Sequence, residues 1–327
     1  MNTSKFTAVL LFLTAVVFGQ QKITVENVFS GTFRAKGMDE LQSLKNTNQY
    51  TVLNVDQASR SMQIDLYDFA TLKKVSNLID TKNYKELVDG IDSYTFDASE
   101  KKILIACNST KIFRHSFTAD YYLYDIAAKS LIKLVDFQIQ EPTFSPDGTK
   151  IAYARENNLY VYDVASKKST AVTTDGKKNA VINGITDWVY EEELAARDGF
   201  RWSPDGKSIA FWRVDASETK FHLMINNTDA LYPFVIPVEY PKAGEKPSAV
   251  KIGVIDIASL KTNWLAIPGE PDNNYLVRME WVAKDEVMAI QLNRNQNQVS
   301  IYNCNTQSGK ATLVYQEKSA EWIDVFD

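Results

Sequence analysis

Histidine is almost missing from this chain: 327 residues hold two, His115 and His222. That scarcity excludes a histidine-rich metal site, and any Ser-His-Asp triad would have to use one of the two. Neither has a partner at metal-ligand spacing. Cysteine is as scarce, with Cys107 and Cys304 each in an apolar, strand-like run. Two buried thiols are expected, and one long-loop disulfide is the alternative for an exported protein. A Gly-x-Ser-x-Gly nucleophile elbow is absent. Gly206-Lys207-Ser208 fails the phosphate-loop spacing, because Arg201 stands where that loop needs its first glycine. Positive charge is not in excess: 36 Lys plus Arg face 41 Asp plus Glu, for a net charge of −5. A nucleic-acid backbone binder would carry a basic stripe instead. Beyond the N-terminal segment no apolar run is long enough to span a membrane. Long helical periodicity is nearly absent too. The two short helix candidates are residues 82–88 and 189–197.

What is present is an ordinary globular composition, 45% hydrophobic and 24% charged. By length alone the prior is two domains. Residues 6–18 are almost wholly apolar behind a single lysine, Lys5, and Gly19 follows. Thirteen apolar positions suit a signal-peptide core and are too few to cross a bilayer. Residues 1–19 are therefore expected to be a signal peptide, and the protein to be secreted or periplasmic.

The rest of the chain reads as short strands broken by turns, with apolar alternation of period two. One unit repeats. Phe144-Ser-Pro-Asp-Gly148 leads into Ile151-Ala-Tyr153, and Trp202-Ser-Pro-Asp-Gly206 leads into Ile209-Ala-Phe211. Thr95-Phe-Asp-Ala-Ser-Glu100 and Trp281-Val-Ala-Lys-Asp285 are degenerate copies. Pro presets φ for the turn, Asp bonds its own backbone, and Gly takes the positive-φ position. Five third-strand motifs accompany these units: 62–68, 121–126, 159–164, 250–257 and 299–303. Four strands per unit, repeated, is the signature of a β-propeller blade. A two-sheet sandwich would not explain the repetition. The anchors Phe96, Phe144, Trp202 and Trp281 lie 48, 58 and 79 residues apart. Plain blades run roughly 40 to 50 residues, so insertions are expected at about 175–201 and 215–250, on loops of one face.

Two features of these regions carry chemistry. Glu191-Glu192-Glu193 follows Trp188 and Tyr190 without interleaved lysines. It reads either as a solvated first helical turn or as a cation-binding pair, because adjacent ionised carboxylates need a compensating positive charge. Arg114 reads either as a surface arginine or as a rigid fork for a carbonyl or carboxylate.

Thr186-Asp-Trp-Val-Tyr-Glu-Glu-Glu193, Trp202-Ser-Pro-Asp-Gly206, Tyr240-Pro-Lys-Ala-Gly244 and Phe113-Arg-His-Ser-Phe117 together resemble the propeller of dipeptidyl peptidase IV, in the prolyl oligopeptidase group of serine peptidases. The resemblance runs from about residue 23 to the C-terminus. It implies an all-β propeller of four-stranded blades over 20–327, about five of an expected eight. The α/β-hydrolase domain with Ser, Asp and His is absent from this chain. It implies release of Xaa-Pro, and less well Xaa-Ala, dipeptides from free N-termini. By position, Glu192 and Glu193 would grip the substrate ammonium and Arg114 would contact the carbonyl after the first residue. Phe326 would line the pocket for the residue second from the cleaved bond. Neither cofactor nor metal is implied. The expected partners are peptides with a free N-terminus and the hydrolase domain, with a homodimer in the full-length protein and neither nucleic acid nor a membrane span. The 327-residue chain, read as an N-terminal fragment, is expected to be inactive alone. The alternatives are a non-catalytic peptide- or protein-binding propeller, or a tripeptidyl or acylaminoacyl peptidase of the same group.

Overall fold

The computed structural model describes residues 22–35, 40–56 and 58–324. The expected signal peptide at 1–19 and Phe326 lie outside the described residues. The chain divides into two compact units, 1–41 and 42–327. In the first, a short helix α1 (Val25–Phe29) starts at Thr24, whose hydroxyl accepts from the Asn27 N–H at 3.2 Å.

The second unit is a series of antiparallel sheets whose strands run in sequence order. The first holds β1 (Leu41–Ser43), β2 (Gln49–Asp56), β3 (Ser61–Asp68) and β4 (Lys74–Asp80). The next is β5 (Ser93–Phe96), β6 (Lys102–Lys111), β7 (Phe117–Asp125) and β8 (Ser130–Lys133). The third is β9 (Gln140–Phe144), β10 (Lys150–Arg155), β11 (Asn158–Asp163) and β12 (Lys168–Ala171). The fourth begins with two short strands, β13 (Val181–Asn183) and β14 (Phe200–Trp202), both paired to β15 (Ser208–Asp215). A hairpin of β16 (Phe221–Asn226) and β17 (Phe234–Glu239) intervenes before β18 (Ala249–Asp256) and β19 (Thr262–Trp264) complete that sheet. The fifth is β20 (Asn274–Ala283), β21 (Glu286–Asn293), β22 (Gln298–Asn305) and β23 (Ala311–Lys318). Among the described residues this is a β-propeller architecture of five blades. Among the described residues no helix is long and apolar enough to cross a membrane.

The apolar runs follow from the stacking. On β6, Ile103, Ile105 and Cys107 pack into a core shared with the first blade, while Leu104 and Ala106 pack into a core shared with the third. On β10, Ile151 and Tyr153 face one neighbour, and Ala152 and Ala154 the other. Successive side chains on a strand point to opposite faces. A strand covered on both faces must therefore be apolar at every position. Cys107 and Cys304 are free thiols in these cores. Burial pushes each up to about 11, so neither is a ready nucleophile.

The repeated anchors rivet one blade to the next. Trp202 Nε1 donates to the Thr143 carbonyl at 3.1 Å, and Trp281 Nε1 to the Arg201 carbonyl at 3.0 Å. Each tryptophan thus bonds the residue just before the preceding blade's anchor. The turns repeat as well. Gly148 and Gly206 sit at φ +66° and +67°, and Glu100 takes the equivalent place at φ +56°. Two expectations need correction. The helix expected over residues 189–197 spans Trp188–Leu194, because Ala195 turns left-handed at φ +49°. The other candidate is not an α-helix. Residues 82–88 form two 3-10 turns, Thr81–Asn83 and Lys85–Leu87, because Tyr84 is extended at φ −134°, ψ 108° and breaks the helix.

Candidate functional site

The fourth blade's first strand is interrupted rather than shifted. Between β13 and β14 the chain leaves the sheet at Gly184 and returns at Gly199, whose N–H donates to the Gly184 carbonyl at 3.1 Å. Gly184 needs φ +74°, and a Cβ on Gly199 would stand 2.9 Å from the Gly184 carbonyl carbon. Only glycine closes this neck without strain.

The excursion carries α2 (Trp188–Leu194). Asp187 caps it: Oδ1 accepts from the Tyr190 N–H at 3.0 Å, and Oδ2 accepts from Ser248 Oγ at 2.6 Å. Asp187 is buried, which raises its carboxyl above the usual range against the pull of those two bonds. Tyr190 anchors the helix in the core, its ring 6.0 Å from Trp212 and its hydroxyl accepting from the Leu276 N–H at 3.0 Å. Trp188 packs on Tyr240, with ring centroids 4.8 Å apart.

Three successive glutamates on a helix fan out by about 100° each. Glu191 turns inward and is 3% exposed. One of its oxygens, Oε1, accepts from the backbone N–H groups of His115 and Ser116 at 2.7 and 2.9 Å. A buried carboxylate persists only with such partners. Glu191 therefore ties the helix to the β6–β7 loop that bears Arg114. Arg197 makes a second tie, donating to the His115 carbonyl at 3.2 Å and pairing with Glu141 at 3.0 Å. Neither tie has a signal in sequence, since the partners lie about 80 positions apart.

Glu192 and Arg114 meet bidentately, Nε to Oε2 at 3.0 Å and an η nitrogen to Oε1 at 2.9 Å. Arg114's side chain is 69% exposed, so this pair adds at most about 1 kcal/mol to stability. It lies at the surface and contributes little to holding the fold. Glu193 is exposed and has no hydrogen-bond or ion-pair partner among the described residues. It borders a cavity of about 350 Å³ lined also by Trp188, Tyr240, Tyr275, Arg294 and Trp322. Arg294 is committed elsewhere, to the Tyr275 hydroxyl and the Glu245 carbonyl.

The structure thus pairs Arg114 with Glu192, while Glu193, the next residue on the helix, borders the cavity. The two histidines stay apart in role: His115 contributes its backbone to Glu191, and His222 lies on β16 beside Tyr240. Among the described residues no group of three His, Cys, Asp or Glu side chains is placed to hold a metal ion.

Fold and site define a β-propeller whose fourth blade exports a charged helix toward an arginine loop of the second. Residues 97–327 match the family model described as the dipeptidyl peptidase IV (DPP IV) N-terminal region, and the chain belongs to that family. The crystal structure of Porphyromonas gingivalis dipeptidyl peptidase 4 is similar at a TM-score of 0.86 and 32% identity, over 94% of this chain and 44% of that one. Dipeptidyl peptidase 4 of Sus scrofa is 30% identical over 76% of this chain and 33% of its own length. An inactive dipeptidyl peptidase 10 of Rattus norvegicus is 31% identical over 72% of this chain and 32% of its own. The chain spans about a third of the length of these curated relatives.

Proposed function

We propose that this chain is the substrate-gating propeller region of a dipeptidyl peptidase IV-like serine exopeptidase, exported and releasing Xaa-Pro or Xaa-Ala dipeptides from free N-termini. The observation that carries this reading is a Glu192 oriented by Arg114, followed on the helix by a Glu193 that borders a cavity and has no hydrogen-bond or ion-pair partner among the described residues. An incoming α-ammonium would supply the positive charge that two adjacent carboxylates need. Arg114 would then reach the carbonyl after the first residue, so the three side chains measure the distance from amine to scissile bond. A blocked N-terminus would leave the glutamates unpaired and partly desolvated, which is costly. Bond cleavage belongs to the hydrolase portion of the parent protein, so the chain alone is inactive in this reading.

The test is kinetic. In the parent enzyme, Glu192→Ala and Glu193→Ala should each lower kcat/KM on Xaa-Pro substrates by about 100-fold or more, the order expected for unpairing a desolvated charge. Near-wild-type activity in both variants would overturn the clamp.

A second reading is a non-catalytic propeller that binds peptides or a protein partner. The likeness to a relative named as inactive favours it. The parent's remaining sequence separates the two, since only an enzyme needs a Gly-x-Ser-x-Gly elbow followed by Asp and His.

A further inference from the structure

The helix that carries Glu192 and Glu193 runs against its own electrostatics. Carboxylates are stabilised near a helix N-terminus and destabilised near the C-terminus, where unsatisfied carbonyls gather partial negative charge. In α2 only Glu191 lies in the first turn, and no basic residue lies in the last. Glu192 and Glu193 stand in the half that repels them. The helix then ends at Ala195 with φ +49°, a left-handed conformation without glycine to ease it. A seven-residue helix with such an end does not hold itself.

The neighbouring blade supplies what the helix lacks. Arg278, half-buried on β20, donates through one η nitrogen to the Leu194 carbonyl and to the Val277 carbonyl, both at 2.7 Å. Leu194 is the last residue of α2. On the same strand the Leu276 N–H holds the Tyr190 hydroxyl at 3.0 Å. These two bonds bracket the three glutamates in sequence. Arg114 pairs with Glu192, and Arg294 bonds the cavity wall. Arg278 is the cation placed on the helix's negative end.

We propose that Arg278 is a positioning residue for the amine clamp. It fixes the last turn of α2 and offsets the charge that Glu192 and Glu193 bring to it. It does not touch substrate. This inference rests on the amine-clamp reading above.

The consequence is a defect in amine binding rather than in bond cleavage. In the parent peptidase, Arg278→Met keeps the stem but removes donor and charge. KM for an Xaa-Pro substrate with a free amine should rise about tenfold, with kcat changed by less than about twofold. The same substrate lacking its α-amine should be cleaved equally by variant and wild type. Arg278→Lys, which keeps the charge and a donor, should restore most of the lost affinity. A merely structural arginine would behave differently. It would lower the melting temperature and reduce activity on both substrates alike, with KM unchanged, and that result would overturn the proposal. An unchanged KM in a folded Arg278→Met protein would do the same. If the wild type itself draws no advantage from the free amine, the clamp reading fails and takes this proposal with it. That failure is read on wild type alone and cannot be confused with the others.

Discussion

The third and fourth blades share one plan and use it differently. In the third, β9 to β12 form a continuous meander whose first strand is only shifted, with a bulge between Ala152 and Ala154 and Glu141 at φ 49°. The β10–β11 turn places Glu156 and Asn157 at φ 49° and 62°. Its central strand is buried on both faces. In the fourth, the central strand is as well buried, with Ile209, Ala210, Phe211 and Trp212 at 1% exposure or less. The exceptions lie in the two excursions. The glycine neck, the buried Asp187 and Glu191, the left-handed Ala195 and the β16–β17 hairpin all lie outside the regular strands. The lesson is that this fold tolerates chemistry by interrupting a blade's first strand while leaving its core intact. Binding groups set on loops over a rigid scaffold follow the same logic.

The largest effects should come from the core and should separate stability from binding. Tyr153 and Tyr190 are both buried, in the third blade and on α2 respectively. Replacing either with alanine should cost about 3–5 kcal/mol in urea denaturation. Only Tyr190→Ala should also raise KM in the parent enzyme, because of the two tyrosines only Tyr190 holds the glutamate helix. A comparable KM change in Tyr153→Ala would erase the proposed division of labour.

Glycines give the next contrast. A Cβ on Gly184 would meet Leu159 Cδ2 at 2.2 Å in a backbone at φ +74°. Gly184→Ala should cost about 2–3 kcal/mol, from overpacking added to left-handed strain. Gly206 shares the positive φ, but its nearest neighbour would be Pro146 Cδ at 3.5 Å, an ordinary contact. Gly206→Ala should cost only the strain, about 1 kcal/mol. Equal losses in thermal or urea melts would show that the neck at Gly184 relaxes freely.

These contrasts also mark what the sequence could reveal. Pro-Asp-Gly turns and the alternating aromatic strands are local signals, so Gly148, Gly206 and the third strands of all five blades were readable from residue order. The helix expected over residues 189–197 was readable in place but not in extent, since it ends at Leu194 where Ala195 turns left-handed. Residues 82–88 misled because apolar spacing cannot report that Tyr84 takes an extended backbone. The site was only half legible. Its glutamates and arginine could be named from the motifs, but the division among the glutamates could not. Glu191 is buried by amides from the second blade, Glu192 is turned by Arg114, and Arg278 arrives from the fifth blade. Contacts across so many residues leave no periodicity to read.

Glu191 supplies a smaller effect on the same axis. Glu191→Gln keeps the shape and one acceptor oxygen but removes the charge from two amide bonds. It should destabilise by about 1–2 kcal/mol, the difference between charged and neutral hydrogen bonds. The loss should appear as increased hydrogen exchange at the His115 and Ser116 amides. Unchanged protection there would mean that other contacts order the arginine loop.

The finest test sets one aspartate of each blade against the other. Asp147, in the third blade's turn, accepts from Ser145 Oγ at 2.6 Å and the Thr149 N–H at 3.0 Å. Ser145 and Thr149 lower its carboxyl from 3.8 to about 2. Its ionised form is favoured on folding, so its contribution is complete above the unfolded value of 3.8 and fades as pH falls toward 2. Asp187, in the fourth blade's excursion, is raised above 3.8 by burial. Its protonated form is favoured on folding, so its contribution is complete at low pH and is lost as pH rises through the raised value. Asparagine caps a helix about as well as aspartate, so Asp187→Asn keeps the cap, and the acceptor it withdraws from Ser248 adds an offset without a pH slope. Measured by denaturation across pH, Asp147→Asn should be most destabilising near neutrality and converge on wild type as pH falls. Asp187→Asn should be most destabilising in acid and less so as pH rises. The two difference curves must slope in opposite directions. Parallel slopes would mean that water reaches Asp187 in the folded protein, and the cap beneath the glutamates would then be no more sheltered than a surface turn.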